Sequence, residues 1–286
     1  METWKHKFLL KEKKWVHIPS EEMIKYGSSL HEYLRRNWRF PLYYYHLRNG
    51  GHVAAAKLHK SNDFFCLIDI KCFFESTSQS RVTRELKKII PYDKARHIAK
   101  LSTVRLPNAA RHKFAVPYGY PQSPVLATLC LQNSYAGAVI DSFYRSGIVT
   151  VSVYMDDIIL SSKDLATLNQ HFEILCEALR KSRYEINIVK TQKPATKISV
   201  FNLELGHRHL KVESGRMVLF IQAFAKSRNK HEKNLLLNTS TPSIQTKRRD
   251  TFRSDTLHLS AGLFIFVRHI CDIRKDNIKK PLFRVA

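Results

Sequence analysis

Residues 151–160 read Val-Ser-Val-Tyr-Met-Asp-Asp-Ile-Ile-Leu. Two adjacent acids, Asp156 and Asp157, lie between two apolar runs that are rich in β-branched residues. Such runs are typical of strands, and a polar pair between them indicates the turn of a hairpin. Neighbouring carboxylates repel each other, and one remedy is a divalent cation that prefers oxygen ligands. The ordinary alternative is a solvated Asp-Asp turn, so the rest of the chain has to decide between the two.

A third acid follows a second apolar run. Residues 64–68 are almost wholly apolar, which predicts a strand buried on both faces. The run ends at Asp69, and a buried acid is costly unless a charge or a metal compensates it. Further along, residues 117–124 read Pro-Tyr-Gly-Tyr-Pro-Gln-Ser-Pro, a turn-dense loop that leads into an apolar helix predicted over 125–144.

The composition points to a polyanionic partner. The 286 residues carry a formal net charge of +24, which is too basic for a typical small-metabolite enzyme and favours nucleic acid. Residues 1–62 hold 12 basic and 5 acidic side chains, and residues 206–286 hold 17 and 6. Basic flanks around a more balanced centre are suited to a polyanion that is held from two sides.

Hydrophobic periodicity, together with capping and turn residues, divides the chain into predicted secondary-structure elements. Helices are predicted over 21–36 with Ser20 as N-cap, over 76–90, and over 163–183 with one amphipathic stripe. A strand is predicted over 198–205. From about residue 210 the composition becomes polar and basic. The predicted division is an N-terminal part, a central part with an insertion at about 91–120, and a basic C-terminal region: 1–62, 63–209 and 210–286.

The cysteines and the apolar runs restrict the class of protein. The five cysteines form no CxxC pair, which favours reduced thiols and a cytoplasmic protein over a disulfide scaffold or a zinc site. His207 and His209 share a strand spacing, but the sequence places no further ligands near them. No signal peptide is evident, and no run reaches the ~18 apolar residues of a membrane span.

The order of Asp69, Gln122 and the Asp156-Asp157 pair resembles the palm of reverse transcriptases over roughly residues 60–210. Residues 64–74 look like the first palm motif of that family and residues 117–129 like the second. Tyr-Met-Asp-Asp at 154–157 looks like the third motif. Residues 187–191 are similar to the Asn-x-x-Lys-Thr element that follows it, and residues 201–206 resemble the primer-gripping strand. The implied fold is α+β, a right-hand polymerase with an antiparallel sheet, packed helices and a small, mainly helical thumb.

The resemblance implies a metal site. Asp69 and Asp156 would bridge two Mg²⁺ ions about 3.5–4 Å apart, with Mn²⁺ able to substitute. Asp157 would support the ions, and the carbonyl of Ile70 would complete one coordination shell. Mg²⁺ uses a few carboxylates together with substrate phosphates, which fits three acids without a protein cage.

Further roles follow from the same resemblance. Phe74 would block the ribose 2′-hydroxyl and select deoxynucleotides, although core packing explains it as well. Gln122 would touch the incoming base or the template, and Tyr154 would lie under the primer end. Lys190 would protonate the leaving pyrophosphate, and a solvated lysine is the alternative.

Two parts of the chain depart from the family pattern or do not match it. Gln122 is followed directly by Ser-Pro, where the family often has Gln-Gly and Ser-Pro a few residues later. The triphosphate-binding residues of the fingers are not identified, and Arg48, Lys57 and Lys60 are the candidates. The tyrosines at 43–45 either stack on bases or pack in the core.

The expected activity is RNA-templated DNA synthesis from dNTPs, with an RNA template and a cDNA product as partners. The short chain and the Ser-Pro helix entry resemble the small bacterial retron-type and phage-defence-associated group. That group implies a structured non-coding RNA and an antiphage role, with oligomerisation open. The alternatives are a non-catalytic RNA-binding scaffold and a template-independent nucleotidyltransferase.

Overall fold

The computed structural model describes residues 3–10, 14–106 and 114–215, together with residues 218 and 222. Its strands are β1 Trp4–Leu10, β2 Lys14–Pro19, β3 Phe64–Lys71, β4 Val104–Arg105, β5 Phe114–Ala115, β6 Thr150–Tyr154, β7 Asp157–Ser162, β8 Glu185–Ile186, β9 Gln192–Ala195, β10 Lys197–Val200, β11 Leu203–Gly206 and β12 His209–Val212. Its helices are α1 Glu21–Asn37, α2 Gly51–Leu58, α3 Gln79–Leu86, α4 Tyr92–Leu101, α5 Ser123–Gln132, α6 Tyr135–Ser146 and α7 Leu165–Lys181, with a 3₁₀ turn at Tyr45–Leu47. The predicted α+β class is confirmed.

The central sheet is built around β3. The strands run in the order β6-β7-β3-β8, and β9 also pairs with β3. Every β3 pairing is antiparallel, and Phe65 to Ile70 are all buried. A strand that is apolar on both faces forms here because helices α5, α6 and α7 share one hydrophobic core with β3 and β6, while β10 and β11 cover the other side.

Local sequence signals place several elements where they were predicted. The hairpin of residues 151–160 is β6 and β7, and Val153 pairs with Ile158 across it. Helix α1 is capped by Ser20, whose Oγ accepts a hydrogen bond of 3.1 Å from the Met23 amide. Helix α7 buries its apolar stripe, which includes Phe172 and Leu175. The predictions for these elements are confirmed. They could be made from local sequence, because the hydrophobic periodicity or the capping residue of each element lies within or next to it.

Three predicted elements have different bounds. The predicted single helix over 125–144 is wrong, because one helix ends at Gln132 and a second begins at Tyr135. Ser134 caps the second helix by accepting from the Gly137 amide at 3.2 Å. The predicted helix over 76–90 shrinks to α3. The predicted strand over 198–205 is instead the hairpin β10–β11, turned by residues 201 and 202 with positive φ.

A β1–β2 hairpin that the sequence did not predict packs against the loop before α5. Val16 forms a bridge with Tyr118, and the His17 amide donates to the Tyr118 carbonyl at 2.9 Å. Gly119 has φ +108°, and a Cβ there would lie 2.2 Å from the His17 carbonyl oxygen. The close approach of the two backbones therefore requires glycine at this position.

Most of the predicted thumb, 210–286, lies outside the described residues. Cys66, Cys72, Cys130 and Cys176 are free thiols. His207 Nδ1 and His209 Nε2 each lie 2.8 Å from one carboxylate, of Asp63 and of Glu204 respectively. Among the described helices, none combines the length and apolar character needed to cross a bilayer.

Candidate active site

The three acids predicted from the sequence meet at one end of the central sheet. Asp69 lies directly opposite Asp157 in the β3–β7 register. Asp156 occupies the turn before β7, and its carbonyl accepts a 2.8 Å hydrogen bond from the Ile70 amide. Main-chain pairing alone thus brings the strand acid and the acid pair together, although they are about ninety residues apart in the chain.

Lys190 supplies the nearest cation. Its Nζ lies 2.8 Å from Asp69 Oδ2, while the side chain of Asp69 is only 3% exposed. The Asn187 amide donates to the Asp69 carbonyl at 2.9 Å, and the Asp69 amide donates to Thr191 Oγ1 at 3.2 Å. The Asn-x-x-Lys-Thr element of the sequence is therefore anchored to Asp69 at both ends, and this positions the lysine.

Electrostatics link the two acids that would share a cation. Burial raises the pKa of Asp156, and the negative charge of Asp69 raises it further. The positive charges of Lys190 and Lys14 act in the opposite direction, lowering the pKa of the Asp156 carboxyl. The carboxylates of Asp69 and Asp156 repel each other, and the positive charge of Lys190 offsets only part of this repulsion.

The donor set suits a hard divalent cation. Carboxylate oxygens are the ligands that Mg²⁺ prefers, and two mutually repelling acids gain most from one. Within the described ranges, no three His, Cys, Asp or Glu side chains are already gathered around one point as metal ligands. Ile70 is buried and uses its amide to hold Asp156, and the role of its carbonyl as a ligand stays a prediction.

An aromatic cluster surrounds Tyr154. Its ring meets those of His46, His52 and Phe201 edge-on, with centroid distances of 5.9, 5.8 and 5.3 Å. Burial raises the pKa of the Tyr154 hydroxyl, and the charges of Asp156 and Asp157 add to the effect. Tyr154 therefore lies beside the acids with a fixed ring plane, and its contact with a primer stays a prediction.

Phe74 is nearly buried, and its ring packs against the ring of Tyr118. It is 9% exposed, and its ring lies 4.8 Å from that of Tyr118 in a T-shaped contact. Burial raises the pKa of the Tyr118 hydroxyl well above its usual value, and Asp156 is the largest charged contributor. Phe74 thus packs in the core beside Tyr118, and its contact with a ribose stays a prediction.

The structure places Gln122 in the core, whereas the resemblance implies a contact with the incoming base or the template. Its side chain is fully buried, and its amide nitrogen lies 3.2 Å from Met23 Sδ and 3.3 Å from Ser102 Oγ. A Cβ on Gly27 would lie 2.2 Å from Gln122 Oε1. In this structure Gln122 fastens α1 to the loop before α5, and the predicted contact with a base or template remains untested.

The three basic residues nominated for the triphosphate differ in their contacts, and their role stays a prediction. Arg48 donates to the Leu42 carbonyl at 2.6 Å and covers the ring of Tyr45, while Lys57 is exposed on α2. Lys60 uses its carbonyl to accept from the Arg208 amide. The tyrosines at 43–45 are buried, which supports core packing over base stacking.

Lys14 is the cation that sequence reasoning missed. It begins β2, its Nζ lies 5.0 Å from the centroid of the Tyr118 ring, and its charge lowers the pKa of the Asp156 carboxyl. The available signal was a lysine beside the alternating run Trp-Val-His-Ile at 15–18, which is typical of a short strand.

A family model places this geometry among known proteins. The model described as "Reverse transcriptase (RNA-dependent DNA polymerase)" matches residues 16–208, about two thirds of the chain. The chain belongs to the reverse transcriptase family. The match covers the central sheet with Asp69, Asp156 and Asp157, so it confirms the resemblance to reverse transcriptases noted in the sequence. A search of curated proteins found no match.

Solved structures show similarity over parts of larger proteins. The foamy viral protease–reverse transcriptase bound to double-stranded DNA is 13% identical, with a TM-score of 0.47, over 92% of this chain and 43% of the other. Telomerase from Candida albicans with a fragment of telomeric RNA is 12% identical, with a TM-score of 0.41, over 94% and 45%. This reverse transcriptase chain spans less than half the length of these proteins.

Proposed function

We propose that this chain is an RNA-templated DNA polymerase that adds deoxynucleotides to a 3′-hydroxyl. The observation that carries the proposal is the β3–β7 register, which sets Asp69 against Asp157 and fastens the Asp156 carbonyl to the Ile70 amide. Three acids at one end of a buried sheet, of which Asp69 is itself buried, are costly without a counter-charge, and membership of the reverse transcriptase family supplies the reason to keep them.

Asp69, Asp156 and Asp157 would hold two Mg²⁺ ions, with Mn²⁺ able to substitute. Divalent cations bound there would stabilise the negative charge on the attacking and leaving oxygens of the reaction. The raised pKa of Asp156 supports this assignment, because its causes are burial and the charge of Asp69, and a cation would relieve both.

The other residues of the site act on substrate groups. Lys190 Nζ lies next to Asp69, so it is positioned to donate its proton to pyrophosphate once a cation has taken over the carboxylate. Lys14, whose charge lowers the pKa of the Asp156 carboxyl, would attract the triphosphate. The Phe74 ring would exclude a 2′-hydroxyl, and the Tyr154 ring would support the primer end.

Primer extension tests the activity. Wild-type protein with an RNA template, a primer, dNTPs and Mg²⁺ is expected to extend the primer. Asp156→Asn keeps the side-chain shape but removes the charge, and we expect it to lower extension by at least about 10³-fold. Equal extension by the two proteins would identify a contaminating polymerase and reject the assignment. Extension without template would instead support a nucleotidyltransferase, and no extension would support a scaffold.

We further propose an antiphage role, with a structured non-coding RNA as template or cofactor, as in the small bacterial group that the sequence resembles. The net charge of +24 supports a nucleic-acid partner. Sequencing the RNA that co-purifies with the protein, together with its cDNA, tests the partner. Deleting the gene and measuring phage sensitivity tests the role. Random RNA fragments and unchanged sensitivity would reject both.

A further inference from the structure

His46 connects two parts of the active site that are distant in sequence. It lies in the 3₁₀ turn Tyr45–Leu47, and the sequence motifs do not include it. Its Nδ1 accepts a 3.0 Å hydrogen bond from the Met155 amide, in the turn that carries the acid pair. Its Nε2 lies 2.7 Å from Thr128 Oγ1 on α5. One imidazole ring therefore bridges the turn and the helix.

The two contacts fix the tautomer of the ring. A backbone amide can only donate, so Nδ1 must be the unprotonated nitrogen. Burial lowers the pKa of His46 to about 3, which keeps the ring neutral near pH 7. Nε2 therefore carries the hydrogen and donates it to Thr128. A backbone hydrogen-bond contact with Val153, in the strand that leads to the turn, adds to these two, and together they hold the ring in one orientation.

The partners of His46 are themselves firmly held. Thr128 is fully buried in α5, the helix that follows the Gln122 loop. Met155 has φ +56°, a left-handed conformation that is uncommon for a residue with a side chain and that directs its amide toward the ring. On the other side of the turn, the Ile70 amide holds the Asp156 carbonyl. The acid pair is thus fastened from two directions.

We propose that His46 is a positioning residue, which holds the Met155-Asp156 turn at a fixed distance from α5 through its two hydrogen bonds. This inference rests on the proposed polymerase function for its catalytic consequence. Reaction geometry is sensitive to displacements of about 1 Å, which cost about 10²-fold in rate. Loss of the bridge would therefore lower the turnover number without removing any group that touches the substrate.

Two matched pairs of variants separate the hydrogen bonds from the bulk of the side chain. His46→Asn keeps an acceptor at the position of Nδ1, whereas His46→Gln keeps a donor at the position of Nε2 and loses that acceptor. Thr128→Ser keeps the hydroxyl on α5, whereas Thr128→Val keeps the shape and loses it. We expect His46→Gln and Thr128→Val to lower kcat about 10–100-fold with the KM for dNTP within about threefold. Thr128→Ser should stay within about fivefold of the wild-type kcat, whereas His46→Asn, which also loses the contact with Thr128, should fall as far as Thr128→Val.

The Met155 amide provides a readout that does not depend on activity. The chain has four methionines, so selective nitrogen-15 labelling of methionine gives a short set of amide signals, and Met155→Leu identifies the one required. Exchange of this amide with solvent deuterium should be about tenfold faster in His46→Gln than in wild type or His46→Asn. Melting temperatures of all variants control for loss of the fold.

The outcomes distinguish the inference from the function on which it rests. Wild-type kcat in His46→Gln, or equal exchange of the Met155 amide in His46→Gln and wild type, would overturn the positioning role and leave the polymerase assignment intact. Slow exchange that depends on His46, in a protein with no extension activity, would support the bridge and reject the polymerase. A fall in kcat in His46→Gln with faster exchange of the Met155 amide, together with wild-type exchange in His46→Asn, supports both.

Discussion

Replacing Lys190 by glutamine removes the cation that faces a buried acid. In the metal-free protein, Lys190 Nζ lies 2.8 Å from Asp69 Oδ2, and the side chains are 43% and 3% exposed. Glutamine keeps much of the length and a hydrogen-bond donor but loses the charge. The carboxylate of Asp69 then stays buried next to Asp156 without its cation, and this is the larger part of the expected cost.

The size of the effect follows from the exposures. Exposed ion pairs contribute about 0.2–1 kcal/mol, and removing one partner of a fully buried pair costs about 3–5 kcal/mol. This pair has one buried and one half-exposed member, so we expect a loss of about 1–3 kcal/mol in the free energy of unfolding. For a domain of about 200 residues this corresponds to a fall of about 3–9 °C in Tm.

Thermal unfolding with and without metal measures the effect. In chelator, Lys190→Gln should melt below wild type by the stated amount, and saturating Mg²⁺ should remove most of the difference by supplying the missing positive charge. Lys197→Gln is the matched control, because its pair with Glu204 is exposed on both sides and should contribute little. Equal Tm values for Lys190→Gln and wild type in chelator would refute the reasoning, as would a deficit that Mg²⁺ leaves unchanged.

Burial lowers the pKa of His59 to about 3 from an ordinary value of 6.5, so below about pH 6.5 the unfolded state binds a proton that the folded state does not. As the pH decreases from about 6.5 to 4, the free energy of unfolding of wild type should therefore fall by about 1.4 kcal/mol per pH unit more than that of His59→Gln, measured by denaturant unfolding. His97 is exposed, and His97→Gln should keep the wild-type slope. Gly119→Ala should cost at least about 3 kcal/mol because of its positive φ and its contact with a backbone carbonyl, whereas Gly147→Ala, also at positive φ but with open space around it, should cost about 1–2 kcal/mol in the same assay. Similar losses would contradict the close-approach argument. Phe74→Val should raise incorporation of ribonucleotides relative to deoxynucleotides by about 10–100-fold in single-nucleotide extension, and an unchanged ratio would assign this ring to the core alone.

The sequence predicts those parts of the fold that local pattern decides. The two apolar runs around Asp156, the buried run before Asp69 and the stripe of α7 each carry their structure in their own periodicity. Their meeting at one sheet end could be anticipated only through the family resemblance, because register depends on pairing between distant strands.

Other features depend on distant contacts and could not be predicted in this way. Gln122 is buried because Gly27, on a helix far away in sequence, leaves room for its amide. The bridge through His46 depends on a turn and a helix that lie on opposite sides of the ring. The break after Gln132 did have a local signal, since the pair Asn133-Ser134 is typical of a helix end followed by a new N-cap.

The turn at Met155 has a consequence for how the protein can change over evolutionary time. The spacing of the two acids beyond it is set by main-chain pairing with β3 and by one imidazole, and none of these contacts uses the methionine side chain. The Met155 side chain packs against the main hydrophobic core, so residue 155 can be exchanged for another flexible apolar residue that tolerates a left-handed backbone. Selection can adjust the packing next to the acids at this one position while main-chain pairing keeps the acids in place.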